Sequence, residues 1–432
     1  MSQSLSSQPS QPSQSPEQDR IAFWQRMLIC VVIGFSSGLP LFVFLNLIPA
    51  WADDFQLDVK AIGLLTFLQV PYVGKPLWAP MMDWINIRAL GRRKTWMIIL
   101  PMVLTVLLIV LGLLRPDQQM GMIVLVGVLI SFASASLDIV IDAYRRELLP
   151  DSELGLGNTI HVNAYKLAGL IPGGLGLILA EQLPWPVVFA VVGAFMLPCV
   201  LLGLVMKEPA LKTLPPRTLE KAFIEPFQEF FGRNGLKAGI LLVLFIFLYK
   251  LGDSLATALA TKFYLDMGFT KKQIGEVAKV AALWGGITGG FIGGFAMMKI
   301  SINRALWIFG IIQLLVIPLF AWLSMQTTPN LFSLGGVVAA EAFGVGLGTA
   351  AFVAFIAQST HPAYTAAQLA LLTSLASLPR TVVNGYAGYM VDSLGYTNFF
   401  WVCTALAIPG LLLLPVVAPL VGAKPVTLEK SA

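Results

Sequence analysis

Residues 207–237 read KEPALKTLPPRTLEKAFIEPFQEFFGRNGLK and form the longest polar interval in an otherwise apolar chain. The adjacent prolines Pro215 and Pro216 and the alternating charges indicate a linker, with room for one amphipathic helix. On both sides of it, apolar runs of about 20 residues recur, which is the length that crosses a hydrocarbon core about 30 Å thick. Six such runs precede the linker and six follow it, so the sequence predicts two helical halves embedded in a membrane.

Twelve predicted helical spans, called spans 1 to 12, are separated by polar loops. They cover residues 22–46, 60–84, 94–114, 120–144, 157–180, 185–206, 238–261, 273–298, 304–325, 331–358, 366–391 and 397–421. The predicted domains are a disordered cytoplasmic tail at 1–20, an N-terminal six-helix half at 21–206, the cytoplasmic linker at 207–237, a C-terminal six-helix half at 238–421 and a cytoplasmic tail at 422–432. The predicted fold class is an all-α membrane protein, in the layout of major facilitator transporters.

The composition and charge pattern support a membrane protein. Of the 432 residues, 57% are hydrophobic and 12% are charged, whereas soluble domains carry roughly 25% charged residues. Of the 28 basic residues, 18 fall on one side of the predicted spans and 5 on the other. Because basic loops stay in the cytoplasm, this bias predicts a multi-pass protein with both termini cytoplasmic. The net charge of +5 follows from topology and does not indicate a nucleic-acid partner.

Five basic side chains lie within the apolar spans: Lys75, Lys166, Lys250, Lys279 and Arg380. A charge at the bilayer centre costs about 2.5–3.5 kcal/mol on insertion scales, so such residues rarely face lipid. We therefore predict that they line one polar cavity and bind an anionic small-molecule substrate between the two halves. The Arg380 guanidinium suits a carboxylate of this substrate, although it could instead pair with Glu341.

Three acidic residues within the spans are candidates for carrying a coupling proton: Asp138, Asp253 and Glu341. Asp138 either pairs with a cation such as Lys75 or Lys166, or carries the proton itself. Asp253 lies three residues after Lys250 and can form an ion pair with it on one helix face. The sequence alone does not rank the three acids.

Four aromatic residues are predicted at membrane depth near the cations: Tyr72, Tyr165, Tyr249 and Trp284. Their rings could stack on the sugar rings of a substrate, or they could serve only in helix packing.

Catalytic motifs are missing from the sequence. It contains no phosphate-binding loop of the GxxxxGK[ST] form, no HExxH and no GxSxG, and it has only two histidines. We therefore expect no enzymatic activity, no cofactor and no metal site.

The loop after span 2 reads Asp83-Trp-Ile-Asn-Ile-Arg-Ala-Leu-Gly-Arg92-Arg93-Lys94 and resembles the major facilitator signature between spans 2 and 3. A carboxylate at a helix end beside several cations can form a charge clamp that opens and closes one side of a transporter. We predict this gating role for Asp83, Arg92 and Arg93. At the end of span 4, Asp142 and Arg145 either join this gate or form a structural salt bridge.

Beyond this signature, the chain resembles the AmpG muropeptide permease family over all twelve spans and the linker. The resemblance rests on segments such as Gly34-Phe-Ser-Ser-Gly-Leu-Pro40, Tyr72-Val-Gly-Lys-Pro-Leu-Trp-Ala-Pro-Met-Met-Asp83, Ser134-Ala-Ser-Leu-Asp-Ile-Val-Ile-Asp-Ala143 and Leu248-Tyr-Lys-Leu-Gly-Asp253. It implies proton-driven import of N-acetylglucosaminyl-1,6-anhydro-N-acetylmuramyl peptides across the inner membrane of a Gram-negative bacterium. It also implies a role in peptidoglycan recycling and an indirect link to β-lactamase induction.

Two alternatives stay open at this stage. The first is a related carrier of another anion, such as an acetyl-coenzyme A-like or folate-like solute. The second is a membrane scaffold or sensor without transport, which gives no reason for five cations and several acids at membrane depth.

Overall fold

The structure is a computed structural model that describes residues 16–56, 68, 70–84, 91–206, 219–233, 235–328 and 330–419. Every regular element within these ranges is a helix. By length and composition, nine helices in the described part of the chain could cross a membrane.

The N-terminal half contains spans 1 to 6. Span 1 starts at Pro16 rather than at residue 22, because proline is well tolerated at the first position of a helix. The helical segments of this half are Pro16–Phe42, Val43–Leu47 and Ile48–Asp54 in span 1, Val70–Gly74, Lys75–Leu77 and Ala79–Trp84 in span 2, Arg92–Leu113 in span 3, Met120–Leu148 in span 4, Leu154–Ala168, Ile171–Leu175 and Gly176–Ala180 in span 5, and Trp185–Ala194 and Leu197–Val205 in span 6.

The C-terminal half contains spans 7 to 12, preceded by a linker helix at Leu219–Arg233. Its segments are Leu236–Tyr249, Leu251–Thr257 and Ala260–Asp266 in span 7, Lys271–Gln273, Ile274–Lys279 and Val280–Ala296 in span 8, Ile302–Val316 and Pro318–Ser324 in span 9, Leu331–Gln358 in span 10, Thr365–Val382 and Val383–Tyr386 in span 11, and Ala387–Leu412 and Leu414–Val417 in spans 11 and 12. Spans 11 and 12 meet at Gly395, whose φ of 70° lies in the region that favours glycine.

The two halves share an apolar core at the end of the bundle where span 6 stops and span 7 starts, which we call the linker side. Met27 and Leu154 of the N-terminal half belong to the same buried cluster as Met297 and Leu347 of the C-terminal half. A further apolar cluster of the N-terminal half also takes in Ala366 and Ala370 of span 11, and a third lies within the C-terminal half. The halves are therefore packed together at the linker side.

Close helix packing within the C-terminal half depends on glycines of span 8. A Cβ atom at Gly289 would lie 2.2 Å from the carbonyl oxygen of Phe343 on span 10, and one at Gly285 would lie 2.6 Å from that of Ala339. Only glycine permits such an approach of two backbones. The opposite face of span 8 is thereby fixed towards span 5 of the N-terminal half.

Candidate functional site

A cavity of about 860 Å³ lies between the two halves. Span 5 forms its wall in the N-terminal half, and spans 7, 8, 10 and 11 form its wall in the C-terminal half. Amide and hydroxyl groups make up much of its polar lining: Asn158, Thr159, Asn163, Ser254, Thr257, Thr349, Thr373 and Ser377. A cavity with such a lining can hydrogen-bond a large polar solute.

Four of the charged residues predicted from the sequence line this cavity: Lys166, Lys250, Asp253 and Glu341. The Lys250 ammonium donates to Asp253 Oδ2 at 3.0 Å and to Thr349 Oγ1 at 3.0 Å. Span 7 is interrupted at Lys250, where one helical segment ends and the next begins. The predicted ion pair between Lys250 and Asp253 is thus present, and Thr349 of span 10 joins it.

Lys166 differs from Lys250 in having no ion pair or hydrogen bond to any residue that the structure describes. Its Nζ lies 3.4 Å from the position that a Cβ atom would take at Gly286 on span 8. Because Gly286 has no side chain, the ammonium faces open space across the interface between the halves. Among the charged residues that the structure describes, Lys250 lies near enough to repel it. Lys166 is therefore a cation available to an anionic ligand.

Glu341 lies deep in the wall of the cavity with 7% of its surface exposed. The carboxylate of Asp253 repels it, and the ammonium of Lys250 attracts it. Two carboxyl groups therefore share one ammonium that already pairs with Asp253. This arrangement leaves Glu341 as the carboxyl group without an ion pair among the described residues of the cavity.

Asp138 and Lys75 belong to a separate polar cluster within the N-terminal half and do not line the cavity. Ser37 of span 1 donates to Asp138 Oδ1 at 2.6 Å, and the Lys75 ammonium attracts the same carboxylate. One helical turn before Lys75 and Asp138 on their respective helices, Tyr72 of span 2 donates to Ser134 Oγ of span 4 at 2.8 Å. Of the two cations considered for Asp138, the structure therefore brings Lys75 to it.

The other predicted binding residues lie away from the cavity lining. Tyr249 stacks on Phe352 with ring centroids 5.3 Å apart, and Tyr165 contacts Phe42 with centroids 5.7 Å apart. Lys279 is exposed and its Nζ is 3.4 Å from Thr261 Oγ1.

Trp284 and Arg380 complete the predicted set. Trp284 is 61% exposed on the outer face of span 8. The side chain of Arg380 lies outside the part of the chain that the structure describes, although its backbone belongs to the helix Thr365–Val382.

At the linker side, four charged residues of spans 2, 3 and 4 form what we call the linker-side charge cluster: Asp83, Arg92, Arg93 and Glu147. Asp83 Oδ1 is 2.8 Å from Arg93 Nη2 and 3.4 Å from Arg92 Nη1. Glu147 Oε1 is 2.7 Å from Arg93 Nη2 and 2.8 Å from Arg92 Nη2. Sequence reasoning missed Glu147, although it directly follows Arg145-Arg146 at the same end of the bundle.

The linker-side charge cluster also binds the C-terminal half. The backbone N–H of Ala367, in the first turn of span 11, donates to Asp83 Oδ2 at 3.1 Å. An anionic group is favoured at this position, because the free N–H groups at the start of a helix carry partial positive charge. Asp83 therefore connects the two halves directly.

Further hydrogen bonds connect the two halves. Arg146 donates to the carbonyl oxygen of Ala357 at the end of span 10, at 2.7 Å. Thr159 of span 5 donates to the carbonyl oxygen of Gly290 of span 8, at 3.1 Å. Arg145 stays within its own half, where its Nη2 is 2.8 Å from Asp142 Oδ1 and its Nε donates to Asn158 Oδ1 at 2.6 Å. The structural salt bridge between Asp142 and Arg145 is thus present.

The linker helix packs against the start of span 11. Gln368 donates to Glu229 Oε2 at 2.7 Å, and Tyr364 donates to Glu225 Oε2 at 2.8 Å. Burial, followed by the hydrogen bond to Glu225, raises the pKa of Tyr364 to about 12. Tyr364 therefore stays a neutral donor at physiological pH.

Known proteins match nearly the whole chain. The family model described as Major Facilitator Superfamily matches residues 30–384. A Haemophilus influenzae protein described as an uncharacterized protein is 50% identical over 408 residues, which are 92% of this chain and 96% of that protein. The anhydromuropeptide permease of Escherichia coli is 38% identical over 398 residues, which are 91% of this chain and 80% of that protein.

Among solved structures, the crystal structure of FucP, a Major Facilitator Superfamily transporter in the outward conformation, is similar to this chain. The two superpose with a TM-score of 0.69 at 13% sequence identity, over 91% of this chain and 99% of that one. At this level of identity the similarity concerns the fold alone. It agrees with the predicted arrangement of twelve helices in two halves.

Proposed function

Because this chain belongs to the Major Facilitator Superfamily, and within it to the AmpG muropeptide permease family, we propose that it imports anhydromuropeptides across the inner membrane by proton symport. The imported compounds are N-acetylglucosaminyl-1,6-anhydro-N-acetylmuramyl peptides, which the cell recovers during peptidoglycan recycling. The observation that carries this proposal is Lys166, which has no ion pair among the described residues and lines a large cavity between the two halves. The chain is a multi-pass carrier of the inner membrane.

The cavity suits a solute of this class in size and chemistry. Its volume of about 860 Å³ lies in the upper part of the range of about 300–1,000 Å³ typical of ligand pockets. A sugar-peptide offers many hydroxyl and amide groups to the polar lining, and its peptide carboxylates suit the ammonium of Lys166. We therefore assign Lys166 as the main anchor of the anionic part of the substrate, with Lys250 as a second cation.

Proton coupling is assigned to Glu341 and Asp253. A proton on Glu341 removes the one negative charge in the cavity that has no ion pair in the described residues. An anionic substrate and a proton together then add no net charge to the cavity, which makes their joint binding favourable. The Lys250–Asp253 ion pair can respond both to the anionic substrate and to the proton, because Lys250 lines the cavity and also pairs with Asp253.

The linker side is proposed to be the cytoplasmic side, with both termini cytoplasmic. This orientation is supported by the excess of basic residues in the loops at that end. The hydrogen bond that Asp83 accepts from the Ala367 N–H and the one that Arg146 donates to the Ala357 carbonyl oxygen then close the cytoplasmic gate. For transport, the halves must exchange this contact for one at the opposite side.

Uptake by proteoliposomes tests the proposal. The purified protein is reconstituted, a proton gradient is imposed, and accumulation of labelled anhydromuropeptide is measured with acetyl-coenzyme A and folate as competitors. We expect accumulation that an uncoupler abolishes and that neither competitor reduces. No uptake above the level in a chemical gradient alone would contradict the proposal, and inhibition by either competitor would favour another anionic substrate.

A pair of lysine variants links the result to the cavity. In Lys166→Gln the lost charge-assisted hydrogen bond, worth about 1.5–3 kcal/mol, should raise KM by about 10- to 150-fold. Lys272→Gln removes the same charge from a side chain that is 80% exposed, and it should leave KM unchanged. An unchanged KM in Lys166→Gln would refute the assigned anchor.

A further inference from the structure

Lys279 lies on the side of span 8 that faces the central cavity. Ala282 and Gly286 of this span line the cavity, and the helix Val280–Ala296 continues directly from Lys279, which itself has helical backbone angles. Because seven residues make nearly two helical turns, Lys279 lies within about 20° of Gly286 around the helix and about 10 Å from it along the axis. Met297, at the other end of the helix, belongs to the linker-side core. Lys279 is therefore at the end of the cavity opposite the linker side, which we call the outer mouth.

A contact with span 7 supports this placement. The Lys279 ammonium donates to Thr261 Oγ1 at 3.4 Å, and this contact joins two helices that both form the cavity wall. On span 7 the cavity is lined by Thr257 and Ala258, and Thr261 follows them by about one turn in the segment Ala260–Asp266. Lys279 and Thr261 are both exposed. The two side chains therefore meet at the outer mouth, where solvent reaches them.

The hydrogen-bond donors of this pair are only partly used. Lys279 forms no ion pair with any residue that the structure describes, and Glu276, three residues earlier, lies 3.9 Å from the Lys272 ammonium instead. An ammonium group has three N–H donors, and Thr261 accepts from one of them. Because the Thr261 hydroxyl is the acceptor of this bond, its own O–H group is free to donate. A positive charge beside a hydroxyl donor suits the two oxygens of a carboxylate.

We propose that Lys279 and Thr261 form an outer binding site that captures a carboxylate of the solute before the solute reaches Lys166. Lys166 lies at the level of Gly286, so the carboxylate moves about 10 Å along span 8 from one ammonium to the next. A charge at the rim of a site acts mainly on the association rate. The identity of the solute rests on the proposed function, whereas the site itself requires only an anion.

Cysteine accessibility in nanodiscs tests whether Lys279 faces the outer mouth. Lys279→Cys is treated with sulfonatoethyl methanethiosulfonate, a charged reagent that reacts with thiols in water. The control is Val280→Cys, because Val280 is 48% exposed but lies about 100° around the helix, outside the cavity lining. The three native cysteines are buried and should not react. We expect Lys279→Cys to react several-fold faster than Val280→Cys.

Protection by anions then tests binding at this position. The reaction of Lys279→Cys is repeated with anhydromuropeptide, acetyl-coenzyme A or folate present, and we expect anhydromuropeptide to slow it several-fold. Protection by acetyl-coenzyme A or folate alone would support the outer site while contradicting the proposed solute. Thr261→Cys provides a second position for the same measurements if Lys279→Cys does not fold.

The sign of the charge is tested by uptake into proteoliposomes at low solute concentration. Uptake should fall several-fold in Lys279→Cys, recover after aminoethyl methanethiosulfonate restores an ammonium group, and fall further after the sulfonatoethyl reagent adds a negative charge. A purely structural role of Lys279 would not distinguish the two reagents. Thr261→Val should also lower uptake, whereas Thr261→Ser, which keeps the hydroxyl, should preserve it.

Three outcomes would overturn the inference. The first is equal reaction rates of Lys279→Cys and Val280→Cys, which would place Lys279 against lipid. The second is a reaction of Lys279→Cys that none of the three anions slows. The third is equal uptake by Lys279→Cys after the two reagents.

Discussion

Replacement of Asp83 by asparagine should open the linker side of the protein. In the structure, Asp83 Oδ2 accepts the Ala367 N–H of span 11 at 3.1 Å and thereby connects the two halves. Asparagine has nearly the same size but no charge, so the change removes the electrostatic part of this contact. Glu147 still pairs with Arg92 and Arg93 in the variant, so the N-terminal half should keep its fold.

The size of the effect follows from the part of the interaction that crosses between the halves. The ion pairs of Asp83 with the arginines lie within the N-terminal half. We expect them in both conformations, so that they cancel. A hydrogen bond from the Ala367 N–H to a carboxylate is worth about 1.5–3 kcal/mol, and one to the neutral amide oxygen of asparagine is worth about 0.5–1.5 kcal/mol. The difference of about 1–1.5 kcal/mol changes the ratio of closed to open molecules by about 5- to 13-fold. A closed state favoured about 100 to 1 would then retain a ratio between about 20 to 1 and about 8 to 1.

Spin-label distance measurements across the linker side can detect this shift. Ser152 of the N-terminal half and Lys299 of the C-terminal half are exposed near this end of the bundle, and each is replaced by cysteine for labelling. The three native cysteines are buried and should stay unlabelled. The control is Asp117→Asn, which removes an exposed carboxylate 2.9 Å from Arg115 at the opposite side.

We expect a longer-distance population in Asp83→Asn that is absent from Asp117→Asn. If the distance distribution of Asp83→Asn matched that of the wild type, the contact with span 11 would not hold the gate closed. An equal shift in both variants would indicate a general effect of charge rather than this contact.

Two further variants test proton coupling and helix packing. In Glu341→Gln, uptake should no longer respond to an imposed proton gradient, while exchange of labelled for unlabelled solute persists. The control Glu276→Gln changes a side chain that is 66% exposed and should behave as the wild type. A preserved response to the gradient in Glu341→Gln would refute the assignment of Glu341 to proton coupling. In Gly289→Ala, the added Cβ atom would lie 2.2 Å from the Phe343 carbonyl oxygen, so spans 8 and 10 must separate at a cost of about 1–3 kcal/mol. The Tm of Gly289→Ala in detergent should therefore fall. The Tm of Gly275→Ala should not, because nothing lies within 4 Å of a Cβ atom added at Gly275. Equal Tm values for the two variants would contradict the close packing of spans 8 and 10 at Gly289.

The spans were predictable because bilayer thickness sets the length of an apolar run. Span 10 covers Leu331–Gln358, the range predicted from its composition. Span 4 extends to Leu148, about one helical turn beyond the prediction, since Arg145, Arg146 and Glu147 find partners at its end. The interruptions within spans 5, 7 and 8 were not predicted. They depend on contacts with other helices, as at Gly252, where a Cβ atom would lie 2.7 Å from the Cys403 carbonyl oxygen.

The sequence predicted the membrane depth of the candidate site, but not which side chains at that depth point into the cavity. Charged residues in the middle of an apolar run had to lie inside the membrane, and Lys166, Lys250, Asp253 and Glu341 meet there. Which face of a helix points inward depends on packing that a single sequence does not contain. Gly286 faces the cavity, and Trp284, two residues earlier, therefore lies about 160° around the helix from it. Trp284 is accordingly exposed, although the sequence placed it at the same membrane depth as the site.

The interruption of span 7 at Lys250 gives this helix a place to bend at the level of the solute. The segments Leu251–Thr257 and Ala260–Asp266 follow it, and each is too short to act as a rigid rod across the bilayer. The end of span 7 opposite the linker can therefore tilt over an occupied cavity while Leu236–Tyr249 keeps its contacts. Enclosure of the cargo then requires bending of one helix, and the larger rocking of the two halves can follow as a separate step.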